Sequence, residues 1–338
     1  MRLIVFFGLM SLPLSAQPGL RYLNLGTAGS PCCVTTDSAG NVYTVNTWNP
    51  DPVQASTEIV LTKTDSKNNL IYTFTFDSAG NPVGVAVDSQ QNVFLAGTLG
   101  QTSPESEAEG FVSKVNSSGT SVLFTRLLGG TTPGTGTSLN AVATDTAGNV
   151  YVAGSTTSED YPVSANAFQS TGPVIQNYGV PAYVVLTELS ADGSRILYST
   201  FLGGSGTNCS GGSACIGAAA RSIANSLAVV PDGSIVVAGQ TSAANFPVSS
   251  TTVQTSCDCL YPSQTGFVAS FSATGGLRWS TYLGGGDPLP NRRRRPGRDC
   301  TGRFGGNRGH LEQLFVPGHR ECLPADNASR VDSLCFEV

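Results

Sequence analysis

The chain has 338 residues, of which only 12% are charged, and its formal net charge at pH 7 is −5. An acidic chain argues against nucleic acid as a partner, because phosphates require a basic face. Forty glycines, together with many Ser, Thr and Val residues, indicate short strands joined by tight turns rather than a helical bundle.

The first sixteen residues are typical of an export signal. Arg2 supplies a positive end, residues 3–12 form an apolar stretch, and residues 14–16 (LSA) offer a cleavage site before Gln17. Because the apolar stretch is too short to span a bilayer, we predict a secreted, periplasmic or cell-surface protein with no membrane span in its mature form.

A pattern of strand, polar turn and second strand recurs four times. It reads CCVTTDSAGNVYTVN from Cys32, VGVAVDSQQNVFLAG from Val83, LNAVATDTAGNVYVAG from Leu139 and SLAVVPDGSIVVAG from Ser226. Apolar positions alternate around each turn, as they do in strands that bury one face. The two later copies are followed by a shared stretch, YPVSANAFQ from residue 161 and FPVSSTTVQ from residue 246, where proline predicts a turn in the chain.

Two more strands complete each repeat. Third strands read FVSKV from Phe111, YVVLTEL from Tyr183 and FVASF from Phe267, and fourth strands read VLFTRLLGG from Val122, ILYSTFLGG from Ile196 and LRWSTYLGG from Leu277. Four strands per repeat make one propeller blade. The sequence therefore predicts an all-β fold, a β-propeller of at least four four-stranded blades at about residues 20–80, 81–130, 138–204 and 222–286, within residues 17–286.

These motifs in combination resemble the bacterial SBBP-type β-propeller repeat. That repeat joins a D-x-x-G-N turn, a V-x-G-x-T strand end, an FP-x-T/S stretch and a closing Y-S-T-Y/F-L-G-G. The third unit matches nearly throughout, the fourth and second match well, and the first matches poorly. The resemblance implies an exported or surface-located protein whose repeat carries no established catalytic residues.

The acidic turn residues allow two interpretations. A calcium loop would need more oxygen ligands at fixed spacing than D-x-x-G-N provides. A structural turn needs only an Asp that caps its own backbone and a Gly with positive φ. We therefore predict structural turn residues at Asp37, Gly40, Asn41, Asp88, Asp145, Gly148, Asn149, Asp232 and Gly233.

The cysteines of the repeats are predicted to be structural or free thiols. Export makes disulfides chemically accessible, and a bond between Cys209 and Cys215 would close a Gly-rich loop. The pairing of Cys32, Cys33, Cys257 and Cys259 stays open. We predict no metal or other cofactor, because the repeats contain no His and the cysteine spacings do not match paired zinc knuckles.

The two ends of the chain differ from the repeats. LRYLNLG, from Leu20, resembles a fourth strand that precedes any first strand, so we predict that it completes the last blade of a ring. Residues 287–338 instead hold nine Arg and both His, with no alternating strand pattern. The run of arginines at 292–295 would ordinarily indicate a nucleic-acid or surface-binding patch.

A shifted reading frame explains the tail better. Read one nucleotide later, the codons of CTGRFGGNRG from Cys300 permit VPDGSVVIAG, which resembles VPDGSIVVAG from Val230. Likewise VPGHRECLPADN from Val316 permits FPVTANAFQPTT, and LCFE from Leu334 permits FVSK. We interpret residues 287–338 as an unstructured, out-of-frame fifth repeat, which leaves the ring incomplete. The residues Cys300, Cys322, Cys335, His310 and His319 are therefore no site candidates.

Catalysis could rest only on loop carboxylates. Without His in the repeats there is no Ser-His-Asp or Cys-His arrangement. Acidic side chains cluster in two loops, at Glu105, Glu107 and Glu109 and at Glu159 and Asp160. Such acids are usually solvated surface groups, so the sequence favours a non-catalytic binding or structural module for an extracellular glycan or protein. The alternative is an extracellular carbohydrate-active hydrolase or lyase that uses these carboxylates.

Overall fold

A computed structural model describes residues 30–51, 56–76, 80–100, 108–172, 180–205, 219–250, 252–257 and 264–284. Several sequence predictions fall on other residues. The export signal, the Leu20 strand, Cys209, Cys215, Cys259, Glu105, Glu107 and the tail 287–338 all lie outside the described residues.

The described residues form sixteen strands in four antiparallel sheets of four, which we call blades 1 to 4. Blade 1 holds β1 (Ser30–Thr36), β2 (Val42–Asp51), β3 (Ser56–Thr64) and β4 (Leu70–Phe76), and blade 2 holds β5 (Gly80–Val87), β6 (Val93–Leu99), β7 (Glu109–Val115) and β8 (Val122–Leu128). Blade 3 holds β9 (Thr137–Thr144), β10 (Val150–Thr156), β11 (Tyr183–Leu189) and β12 (Ile196–Leu202), and blade 4 holds β13 (Ser222–Val229), β14 (Ile235–Thr241), β15 (Thr265–Phe271) and β16 (Leu277–Leu283).

Strands follow chain order within every blade, so each strand pairs with its sequence neighbour. The first strands of successive blades, β1, β5, β9 and β13, also lie next to one another in that order. No sheet in the described part of the chain joins strands from the two chain ends. The predicted β-propeller of four-stranded blades, with its ring left open, is confirmed. No helix among these residues has the length and apolarity needed to cross a membrane.

The hydrophobic core lies between the blades. Phe94 and Ala96 of β6 pack with Val150 and Val152 of blade 3, whereas Val93 and Leu95 of the same strand pack with blade 1. Alternate side chains of one strand therefore bury themselves against two different neighbours. This explains why the second strands are apolar at consecutive positions, as in sheets that are covered on both faces.

A recurring glycine lies two residues before the end of each second strand in blades 2 to 4. A Cβ at Gly154 would collide with the backbone carbonyl oxygen of Ser138. A Cβ at Gly97 or Gly239 would likewise collide with the carbonyl oxygen of Asn81 or Ile223. The pairing with the first strand shifts by one residue at each of these points, which marks a β-bulge. Blade 1 shows the same shift opposite Asn46, so the bulge is present there without a glycine.

The Y/F-P-V stretches cover the outer edges of blades 3 and 4. Tyr161 and Phe246 anchor them, each nearly completely buried. In blade 3, the N–H of Ser164 donates to the carbonyl of Ser199 at 3.0 Å. Because this stretch bonds to the free side of β12, it occupies backbone groups that would otherwise form an exposed sheet edge.

Candidate functional site

The turn between the first and second strands of blade 3 is closed by Asp145. Its Oδ1 accepts hydrogen bonds from the backbone N–H groups of Ala147 at 2.9 Å and Asn149 at 2.8 Å. Its Oδ2 accepts from Nδ2 of Asn149 at 2.8 Å and from the hydroxyl of Tyr151 at 3.3 Å. Both oxygens therefore serve the turn itself.

The same arrangement recurs in blades 1 and 2. Asp37 accepts from the backbone and side-chain nitrogens of Asn41 at 2.9 and 2.8 Å, and Asp88 accepts both equivalent bonds from Asn92 at 2.8 Å. Burial favours the neutral acid at Asp37, but the hydrogen bonds from Asn41 and Tyr43 outweigh it and hold the pKa of this carboxyl below its ordinary value.

Backbone conformation at the fourth residue of these turns explains their glycines. Gly40, Gly148 and Gly233 have φ values of 79°, 82° and 79°, in the left-handed region that glycine enters without steric cost. In blade 2 the same position is held by Gln91 with φ of 64°. The turn geometry therefore persists even where its usual residue is replaced.

Asp232 has a different role from the other turn acids. The residue that closes its turn is Val230, whose N–H donates to the carbonyl of Ser234 at 2.8 Å. Asp232 stands two residues later, where it accepts from the N–H of Ser234 at 2.8 Å and from Nη1 of Arg278 at 3.2 Å. The sequence pattern grouped Asp232 with Asp37, Asp88 and Asp145, although Asp232 stands two residues later in its turn than they do in theirs.

A turn acid that closes its turn in the same way as Asp145 was missed by the sequence reasoning. Asp65 closes the turn between the third and fourth strands of blade 1, accepting from the backbone N–H and the side-chain Nδ2 of Asn69 at 2.8 and 2.7 Å. These bonds from Asn69 lower the pKa of Asp65. The signal was present in the sequence, because Asp65 and Asn69 have the same spacing as Asp145 and Asn149.

Asp160 is the most strongly hydrogen-bonded carboxylate among the residues considered for catalysis. It accepts from Thr131 through the hydroxyl at 2.6 Å and the backbone N–H at 2.8 Å. It also accepts from the hydroxyl and N–H of Thr132 at 2.8 and 3.3 Å and from the Ser158 hydroxyl at 3.0 Å. Asp160 thereby ties the segment after β8 to blade 3. These bonds, led by the Thr131 hydroxyl, hold the pKa of Asp160 far below its ordinary value.

The other described acids from the two loops take no part in this arrangement of hydrogen bonds around Asp160. Glu159 is exposed beside Asp160, and Glu109 is the first residue of β7. No group of three or more His, Cys, Asp or Glu side chains in the described ranges is placed to hold a metal ion.

Two lysines are buried between blades, which the sequence reasoning did not anticipate. Lys114 forms an ion pair with Asp88 at 3.2 Å and donates to the carbonyl of Ala191 in blade 3 at 3.1 Å. Lys63 donates to Oε1 of Gln91 at 2.8 Å and lies over the ring of Tyr43, with 4.9 Å from Nζ to the ring centroid. Each lysine therefore connects its own blade to the next one.

The described cysteines carry disulfide bonds. Adjacent Cys32 and Cys33 are joined on β1, and Cys257 is also disulfide-bonded. The candidate pair Cys209 and Cys215 falls outside the described residues.

Comparison with protein families matches residues 123–162 to the beta-propeller repeat SBBP. The chain carries an SBBP repeat. The SBBP match runs from β8 through β9 and β10 and includes both Asp145 and Asp160. Both carboxylates therefore lie within the matched repeat. The chain matches no curated protein in sequence.

Three solved structures resemble the chain, each with low sequence identity. A protein of unknown function from Bacteroides caccae shows 11% identity and a TM-score of 0.31 over 75% of this chain and 82% of that one. A Pyrococcus horikoshii acylaminoacyl peptidase shows 9% identity and a TM-score of 0.38 over 76% of this chain, which spans only 32% of the peptidase. A mannose phosphorylase from Leishmania mexicana shows 9% identity and a TM-score of 0.35 over 76% and 68%.

Proposed function

We propose that the chain is an exported, non-catalytic module that binds an extracellular glycan or protein or has a structural role. The observation that carries this proposal is the state of Asp160, which accepts five hydrogen bonds from Thr131, Thr132 and Ser158. A general acid needs a pKa near the working pH, whereas these bonds hold the pKa of Asp160 far below its ordinary value. Its geometry supports a role in fixing the connection between two blades.

The functional test is a comparison of binding and turnover on the full chain. We expect a glycan array or an extracellular-protein screen to reveal binding, and a panel of glycoside hydrolase and lyase substrates to show no turnover. The variants Asp160→Asn and Glu159→Gln remove the two described carboxylates of one loop, and Asp192→Asn removes an exposed turn carboxylate of the same blade as a control. Turnover that Asp160→Asn or Glu159→Gln abolishes, and Asp192→Asn retains, would contradict the proposal.

Export is the second part of the proposal and rests on residues 1–16. Mass spectrometry of protein recovered outside the cytoplasm should find Gln17 at the N-terminus. A Phe6→Arg variant interrupts the apolar stretch and should keep the protein in the cell, since the export machinery reads an uninterrupted apolar segment. Intact Met1 on protein that stays in the cytoplasm would contradict export.

The third part concerns residues 287–338, which we propose to be a fifth repeat read out of frame. The support is the order and spacing of the three permitted motifs at residues 300, 316 and 334. The nucleotide sequence from codon 280 onward tests it directly. We expect the shifted frame to spell the repeat motifs, and codons that spell other residues in that frame would refute it.

A further inference from the structure

A repeated contact joins each blade to the next one. In the fourth strand of blades 1, 2 and 3, the third residue is aromatic, and its ring lies against a glycine in the last turn of the following blade. The pairs are Tyr72 with Gly119, Phe124 with Gly193 and Tyr198 with Gly275. Three interfaces of the same construction establish a common docking register for this chain.

Each of these glycines is required by the ring that it contacts. A Cβ at Gly119, Gly193 or Gly275 would collide with the aromatic side chain, and all three have positive φ, between 66° and 88°. At the interface of blades 3 and 4, the Tyr198 hydroxyl also donates to the Gly275 carbonyl at 2.6 Å. Tyr198 is 4% exposed, whereas Tyr72 and Phe124 are partly buried in the corresponding contacts.

Blade 4 carries the same aromatic position, but no glycine among the described residues lies against it. Trp279 is the third residue of β16 and is 41% exposed. The side chains around it that point away from blade 3, Val236, Ala238 and Val268, are only partly buried. Their counterparts in blade 3 are fully packed against blade 4: they are Tyr151, Ala153 and Leu186.

We propose that this face of blade 4 binds one further blade of the same repeat, covalently continuous with blade 4, whose turn glycine lies against Trp279. The chemistry of the face supports this occupant, since it presents the apolar side chains and the aromatic ring that three other faces use for the same purpose. The fifth repeat proposed above, read in the shifted frame, would supply that blade. To this extent the inference rests on the proposed function.

A second copy of the chain is a poorer fit than a continuous blade. The equivalent turn in blade 1 has Asn68 where the later blades have glycine, at the same left-handed φ of 66°. A Cβ at Gly119, Gly193 or Gly275 would collide with the docked ring, and Asn68 carries a Cβ at the equivalent turn position. Blade 1 of another copy therefore could not receive Trp279 in the common register.

The test follows the fluorescence of Trp279 in two full-length proteins. The chain has two tryptophans, so Trp48→Phe leaves Trp279 as the only one. One protein is this Trp48→Phe chain, and in the other a second copy of residues 219–286, whose own tryptophan is replaced by phenylalanine, replaces residues 287–338. Because this design does not depend on the reading frame, its failure is distinct from a failure of the frame proposal. We expect the added blade to shift Trp279 emission to shorter wavelength and to reduce acrylamide quenching several-fold.

Two glycine variants of the added copy test whether its turn glycine lies against Trp279, as the common docking register requires. Gly275→Ala in that copy alone should restore quenching of Trp279, since a Cβ there meets the docked ring. Gly284→Ala in the same copy is the matched control, because Gly284 also has a positive φ, of 95°, but a Cβ there would meet nothing within 4 Å, and it should leave Trp279 protected.

Three results would overturn the proposal. The first is unchanged emission and quenching after the blade is added, and the second is equal behaviour of the two glycine variants. The third is protection of Trp279 in the original chain that rises with protein concentration, together with a dimer in sedimentation, which would assign the face to a second copy. As a separate check, Trp279→Ala should lower the melting temperature of the extended protein and leave that of the original chain nearly unchanged.

Discussion

The buried Lys114 between blades 2 and 3 forms an ion pair with Asp88. Lys114 and Asp88 have side chains that are 8% and 2% exposed, so their attraction is only weakly screened by water. The ammonium group also lies 4.7 Å from the centroid of the Phe94 ring, a contact that favours a desolvated cation. Removing one partner should therefore cost more than the ion pair contributes on balance, because the other charge would stay buried.

Substitution of Lys114 tests this. We expect Lys114→Met to lower the free energy of unfolding by about 3 kcal/mol, since it leaves the Asp88 carboxylate without its counter-charge. The double variant Lys114→Met/Asp88→Asn should recover part of this loss. Urea denaturation measures both, with the exposed Lys67→Met as control, expected within about 0.5 kcal/mol of the parent chain. Equal effects of Lys114→Met and Lys67→Met would show that the buried pair is not formed.

The lowered pKa of Asp160 predicts a pH dependence. A carboxyl whose pKa is lower in the folded state stabilises the fold above its unfolded pKa and loses this effect as pH falls toward the folded value. Asp160→Asn should therefore lower the melting temperature at pH 7, and the difference from the parent should narrow below the ordinary pKa of 3.8.

Calorimetric scans between pH 7 and pH 2.5 measure this difference. Glu159→Gln is the control, because it removes a charge from the same loop without touching the bonds to Thr131 and Thr132. A difference between Asp160→Asn and the parent chain that stays constant or widens below pH 4 would contradict the assigned role.

Residue roles could be predicted from the sequence where they depend on near neighbours. The turn residues around Asp145 were found because Asp, Gly and Asn recur at short, fixed spacing. Lys114 could not be found in this way, since its partner Ala191 lies 77 residues further along the chain and belongs to another blade. In a sequence alone, a lysine in a strand indicates a solvent-facing position.

At the scale of elements, the Y/F-P-V stretches of blades 3 and 4 explain the Ser-Thr motif in the fourth strands of these blades. The sequence alone assigned this motif no structural role. The backbone N–H of Gln169 donates to Oγ1 of Thr200 at 2.9 Å, and Gln254 repeats this bond with Thr281 in blade 4 at 3.1 Å. The Ser-Thr pair of the Y-S-T-F strand is therefore the attachment point for the segment that covers the sheet edge.

Removal of one hydroxyl tests the attachment. Thr200→Val preserves the shape of the side chain but leaves the Gln169 N–H without its acceptor, at a cost of about 1–3 kcal/mol. Thr73→Val, at an exposed position of β4, is the matched control and should change stability by no more than about 0.5 kcal/mol. Denaturant unfolding compares them, and similar losses for both variants would rule out the attachment.

Strand prediction succeeded where the repeat was clear. The fourth strands predicted from Val122, Ile196 and Leu277 begin at those residues in the structure. The third and fourth strands of blade 1 were not delimited, because Ser56–Thr64 and Leu70–Phe76 lack the closing Leu-Gly-Gly of the other units. Their place in the blade follows from the pairing of β3 with β2 and of β4 with β3.

At the scale of the whole molecule, stability arises between blades rather than within them. A single four-stranded sheet has two apolar faces and nothing of its own to cover them, so neighbouring repeats must supply the core. Three hydrophobic cores, shared by blades 1 and 2, 2 and 3, and 3 and 4, cover the faces that neighbouring blades turn toward each other. The sequence predicted the blades, but the aromatic-to-glycine register that joins them required the structure.

The arrangement of blades is tested most directly by a crystal structure of the chain. We expect four antiparallel sheets with β1, β5, β9 and β13 adjacent in that order around a common axis, and with Tyr198 seated on Gly275 of the following blade. Sheets stacked in a line without a shared axis, or strands paired across repeats instead of within them, would contradict the account.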